Sequence, residues 1–113
     1  MAKTTSRVAD IARRYIRLLE TYGVTVSGAY LFGSHVEGTP REDSDVDLLI
    51  VSPAFSGMPY AERWKILGDV LAQLREPIDV LAYSPEEFES RRCNRASFVS
   101  YILNHSERVD LSP

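Results

Sequence analysis

Between residues 45 and 51 the chain reads Asp-Val-Asp-Leu-Leu-Ile-Val, two carboxylates one residue apart leading straight into four apolar residues. Aliphatic and β-branched residues in such a run predict a strand, and the side chains of a strand alternate between its two faces. Asp45 and Asp47 therefore project from one face, while Val46 and Leu48 point the other way, into a core. Carboxylates this close repel one another when both are ionised, and neighbouring aliphatic burial adds to the cost. A cation beside them relieves that repulsion. Mg²⁺ fits the need, because it prefers carboxylate and phosphate oxygens and completes its shell with water and substrate.

The remaining segments arrange themselves around this strand. Val8, Ile11, Ala12, Tyr15, Leu18, Leu19 and Tyr22 recur at helical steps, with Thr5 or Ser6 as N-cap and Gly23 as stop, and predict an amphipathic first helix. Residues 24–32 read as a strand that ends at Gly33-Ser34. At such a turn backbone N–H groups can approach phosphate oxygens, since glycine has no Cβ in the way, and Ser34 adds a hydroxyl. Ten residues, 35–44, then lead to the carboxylate strand. Tyr60, Trp64, Leu67, Leu71 and Leu74, with Ile66 and Val70 widening the stripe, predict a second long helix over about 60–75, ended by Pro77, with its aromatic stripe in the core.

Residues 78–82 form a third predicted strand, in which Asp79 would be expensive to bury against Ile78, Val80 and Leu81. If that strand neighbours the second, Asp79 joins Asp45 and Asp47. Ser84-Pro85-Glu86-Glu87 carries a capping serine, a proline at the first helical position and a glutamate three residues after the cap, a start signal for a third helix. A break near Cys93-Asn94, a last helical segment from Phe98 to about His105, and an edge strand or tail around Val109 and Leu111 complete the pattern. The expected fold is α/β (α+β): a small mixed sheet of three to four strands with helices packed on one face and the acids exposed at the other, in an open cleft.

Composition narrows the function classes. A chain of 113 residues with 44% hydrophobic and 26% charged residues is expected to be one domain, and 13 Lys+Arg against 16 Asp+Glu (net −3) argue against a protein that coats nucleic acid. Arg91, Arg92 and Arg95 are the densest basic patch, and without interleaved aromatics they read as a solvated face. Cys93 stands alone, which excludes a disulfide framework and suits a reducing compartment. No apolar signal core follows Met1-Ala2-Lys3, and no run reaches bilayer-spanning length, so a cytoplasmic location is expected. His105 reads as a helix C-terminal residue favoured by the dipole, and His35 as unneeded by the chemistry below.

Three carboxylates on one sheet face beside a glycine-serine phosphate turn make a two-metal phosphoryl-transfer site. The run Leu31-Phe32-Gly33-Ser34, ten residues, then Asp45-Val46-Asp47-Leu48, with Asp79 in third place, resembles the signature of the DNA polymerase beta-like nucleotidyltransferase superfamily. The whole chain is similar to the minimal nucleotidyltransferases (MNT), small stand-alone members that commonly act as antitoxins to HEPN-domain toxins. That resemblance implies Mg²⁺ as cofactor and ATP as substrate, with Asp45, Asp47 and Asp79 as catalytic and metal-binding residues. It implies Gly33 and Ser34 as holders of the triphosphate, joined by Ser44 and by Arg41. Glu37 stands where many members place an arginine, and Arg41, after Pro40, is the cation available in its stead.

The implied reaction is transfer of AMP to a hydroxyl, typically a tyrosine of the partner HEPN toxin. The alternative is a catalytically weak or inactive antitoxin that neutralises its partner by complex formation. A small-molecule acceptor would call for an added substrate domain, for which this length leaves no room. Small core and open sheet edges favour a homo- or hetero-oligomer.

Overall fold

A computed structural model describes residues 6–33 and 46–111. The amphipathic N-terminal pattern forms α1 (Ser6–Thr21), and Val8, Ile11, Ala12, Tyr15, Ile16 and Leu19 are its buried stripe. Gly23 in the left-handed region (φ 83°) turns the chain out of it. There follow β1 (Gly28–Phe32), β2 (Val46–Val51), a short 3₁₀ turn at Pro53–Phe55, α2 (Tyr60–Leu74) and β3 (Ile78–Tyr83). The short helices α3 (Pro85–Arg92) and α4 (Phe98–Asn104) and a two-residue strand, β4 (Glu107–Arg108), end the described chain. No helix among the described residues is long and apolar enough to cross a membrane.

The four strands form one mixed sheet in the order β3-β2-β1-β4. β1 runs antiparallel to β2 and to β4, whereas β2 and β3 are parallel, as a strand pair joined through a helix must be. The central position of β2 explains its continuous apolar run, because residues 48–51 are buried on both faces. Ala29 and Leu31, Val46, Leu48 and Ile50, and Ile78 and Val80 pack against α1 and α2 in the main core. The alternate residues face the other way: Leu49 and Val51, flanked by Tyr30, Phe32, Leu81 and Tyr83, meet Phe88, Val99 and Ile102 of α3 and α4.

The two long helices thus share one face as the sequence predicts. The two short ones cover part of the opposite face, which the pattern of apolar residues in α3 and α4 was too sparse to announce. The capping box of α3 forms as read, with Glu87 N–H donating to Ser84 Oγ and Ser84 N–H to the Glu87 carboxylate.

Three expectations require correction. β1 begins at Gly28 and not at Val24: residues 24–26 are outside the ladder, although Val24 and Val26 are buried. α2 ends at Leu74, with Arg75 in the left-handed region (φ 58°) and its N–H on the Leu71 carbonyl, so the helix has stopped before Pro77. The aromatic stripe of α2 is not core. Tyr60 and Trp64 are exposed, and the buried stripe is Arg63, Leu67, Val70 and Leu74. One helical residue is a rotation of about 100°. Leu67 and Leu74 belong to both stripes, so the docking face is rotated by only about 50° from the expected one, and the arginine at its start is what concealed it.

Candidate active site

Asp47 and Asp79 are in-register partners on the parallel strands β2 and β3. Neighbouring strands lie about 4.8 Å apart, and in-register side chains share a face, so two carboxylates stand side by side. They continue the rows 47/49/51 and 79/81/83, the rows that α3 and α4 cover further along. At the 47/79 end those helices leave the sheet open. Asp47 is half-buried and Asp79 exposed, so both carboxylates are in contact with water.

β1 delivers the third element. Phe32 pairs with Asp47 across the antiparallel ladder, and the next residue, Gly33, turns with φ +80°. A Cβ built on Gly33 would lie 2.1 Å from Asp47 Oδ2, 3.0 Å from its Cγ and 3.3 Å from its Cβ. Only a glycine brings this turn's backbone against the carboxylate. Gly33→Ala combines a disfavoured backbone conformation with a collision along the whole Asp47 side chain. It should lower stability by about 2 kcal/mol in urea unfolding and displace Asp47 from the cavity, abolishing any activity that needs it. An alanine variant as stable and active as the parent would show that the turn can relax.

Phe32, Gly33, Asp47, Asp79, Leu81, Phe98, Tyr101, Ile102 and His105 line a cavity of about 340 Å³. That volume is within the range of small-molecule sites. Sequence reasoning anticipated Gly33, Asp47 and Asp79 and the adjacency of the two strands. It missed Phe98, Tyr101 and His105. Their spacing of three and four residues, along α4 to its C-cap His105, puts them on one side of the helix, and that periodicity was the available signal; what it could not tell was that this side looks into the acidic cavity. Ser34, Arg41, Ser44 and Asp45 lie outside the described residues. Among the described residues no group of three metal-ligating side chains occurs, so the described portion of the carboxylate set is the pair Asp47 and Asp79.

A mixed β3-β2-β1-β4 sheet with helices on both faces, carrying adjacent carboxylates beside a glycine turn, is an α+β nucleotidyltransferase fold. The chain belongs to the nucleotidyltransferase domain family, whose family model matches residues 12–109. In structure it is similar to a candidate nucleotidyltransferase from Sulfolobus solfataricus, at 20% identity and a TM-score of 0.59 over 74% of this chain and 73% of that one. It is also similar to a toxin–antitoxin structure with AMP-PNP, at 21% identity and TM-score 0.58 over 88% and 72% of the two chains. A third likeness is to a mutant of the toxin–antitoxin MntA–HpeT in which two aspartates one residue apart are changed to glutamate. There the identity is 16% and the TM-score 0.53, over 86% of this chain and 70% of that one. No curated protein matches the chain significantly.

Proposed function

We propose that this protein is a Mg²⁺-dependent nucleotidyltransferase that moves AMP from ATP to a hydroxyl, a tyrosine of a HEPN-type toxin, and thereby acts as that toxin's antitoxin. The observation that carries the reading is the in-register pair Asp47 and Asp79 beside Gly33 at a cavity of small-molecule size. The donor set suits magnesium: hard carboxylate oxygens, partly open to water, with room for substrate phosphate. Asp45, two residues from Asp47 on the same strand pattern, completes the proposed set. The same one-residue spacing of two aspartates is altered in the MntA–HpeT mutant, and the toxin–antitoxin structure with AMP-PNP pairs such a fold with a triphosphate analogue.

In this reading Asp45 and Asp47 hold the metal, while Gly33 and Ser34 receive the triphosphate with help from Ser44 and Arg41. When bound, magnesium supplies charge neutralisation at the phosphates. The acceptor oxygen forms a bond to the α-phosphorus as the bond from that phosphorus to the bridging oxygen breaks, and pyrophosphate leaves. Asp79 takes the hydroxyl proton or serves as a second metal ligand. Positioning and electrostatics provide most of the rate.

Intact-mass spectrometry tests this. A purified HEPN-type partner is incubated with the protein, MgCl₂ and ATP, and the expected result is a mass increment of whole AMP units that vanishes with EDTA. A stable complex that protects against the toxin without any increment, with every nucleotide tried, would overturn the enzymatic reading and leave neutralisation by binding.

A further inference from the structure

The carboxylates share their cavity with a set of aromatic rings. On α4 the rings of Phe98 and Tyr101 are stacked with centroids 6.3 Å apart and planes 11° apart. Tyr101 and His105 stack more closely, at 4.3 Å and 22°. Phe32 meets Phe98 edge-on from the sheet, with centroids 6.1 Å apart. Phe98 and Tyr101 remain 58% and 51% exposed. Val99 and Ile102 anchor the same helix in the core beneath, so the column stands on a fixed base.

The last ring is also oriented. His105 Nδ1 lies 2.9 Å from the Tyr101 carbonyl oxygen. A carbonyl can only accept, so Nδ1 carries the proton and, in the neutral ring, Nε2 is left as an acceptor.

We propose that this ring column, centred on Tyr101 and His105, is the subsite for the base of the nucleoside triphosphate, a proposal that rests on the nucleotidyl-transfer reading above. A nucleoside triphosphate is a molecule of two halves, one polyanionic and one planar, uncharged and aromatic. The cavity lining has the same two components, the carboxylates with the glycine turn and a set of stacked rings. Its volume of about 340 Å³ suits a nucleoside and not a docked helix. Stacking on flat rings tolerates any base but rewards the larger overlap of a purine.

Binding measurements in the presence of Mg²⁺, with ATP and with inorganic tripolyphosphate as probes, test the assignment. Tyr101→Ala and His105→Ala should each raise the Kd for ATP about tenfold and leave that for tripolyphosphate unchanged, while Tyr101→Phe keeps the parent affinity for both. A 2-aminopurine analogue of ATP should lose fluorescence on binding the parent protein and lose much less on binding Tyr101→Ala. Both replaced side chains are exposed, and tripolyphosphate binding reports whether each variant still folds around the carboxylates.

If both probes bind the parent and the alanine variants match it, the base subsite is wrong while nucleotide binding stands. Should neither probe bind the parent protein, the nucleotidyl-transfer reading fails and takes the subsite with it. Unchanged ATP affinity with a slower transfer to the acceptor would assign the rings to the acceptor and overturn the proposal. So would an equal loss of affinity for both probes in a variant whose circular dichroism and melting temperature match the parent's.

Discussion

Asp47→Asn should lower nucleotidyl transfer about a thousandfold or more while leaving the protein folded. The substitution keeps the size and planarity of a half-buried side chain and removes its charge, so packing against Gly33 and Phe32 is preserved. What is lost is a hard, anionic oxygen ligand at the point where phosphate charge must be neutralised, an effect worth several kcal/mol at the transition state. At 1.36 kcal/mol per factor of ten, about 4 kcal/mol gives the expected loss.

Stability supplies a second readout of the metal. Added MgCl₂ should raise the melting temperature of the parent protein, because a ligand that binds only the folded state stabilises it, and should do so much less for the variant. Transfer within threefold of the parent rate would remove Asp47 from the machinery.

Much of this site could be read from residue types alone, because a strand has a period of two and leaves little choice. Once residues 46–51 are a strand, Asp47 must share a face with Leu49 and Val51, and once Ile78–Tyr83 lies alongside, Asp79 must stand beside Asp47. The start of α3 was legible for a similar reason, since its capping serine, proline and glutamate each satisfy a local backbone requirement. Tertiary placement was not legible. Nothing local in residues 98–105 says that α4 lies over the odd-numbered face of the sheet, yet that placement puts Tyr101 and His105 into the cavity. The exposure of Trp64 has the same origin. Helical periodicity allowed two neighbouring stripes, and the choice between them fell to Arg63, whose burial depends on an acid 24 residues away.

Arg63→Ala should destabilise the fold by about 3 kcal/mol, a large fraction of what a chain of this size possesses. The side chain is buried where the start of α2, the end of β3 and the start of α3 converge. Its Nη1 donates to Glu87 Oε1 at 2.9 Å and to the Ala82 carbonyl at 3.2 Å, and its Nη2 to the Phe55 carbonyl at 3.0 Å. The guanidinium also lies over the rings of Tyr60 and Phe55, 4.8 and 5.1 Å from their centroids. Alanine withdraws all of these together and leaves a carboxylate and two carbonyls short of a donor, which costs more than the pair itself contributes. Glu87 retains some exposure (24% of its side chain), so the lower end of the range for broken buried pairs applies. A fall in melting temperature of roughly 10–15 °C should accompany the loss, and Arg63→Lys should be intermediate, since an ammonium cannot reproduce the planar fork.

The same cluster predicts an acid transition. Burial pushes the Glu87 carboxyl up, but the Ser84 backbone N–H, the Tyr60 hydroxyl and Arg63 together outweigh it and hold the group at about 2. A carboxyl depressed in the folded state stabilises fully above its unfolded value near 4.5 and loses that contribution as pH falls toward 2. Urea midpoints of the parent protein should therefore drop between pH 5 and 2 by more than those of Glu87→Gln, which has no such carboxyl to protonate. In Arg63→Ala the Glu87 carboxyl loses two of the interactions that hold it down, so its acid sensitivity should shift toward higher pH and shrink. Equal pH slopes for the parent, Glu87→Gln and Arg63→Ala would mean that the Arg63–Glu87 contact contributes nothing to holding α2 and α3 together at the edge of the sheet.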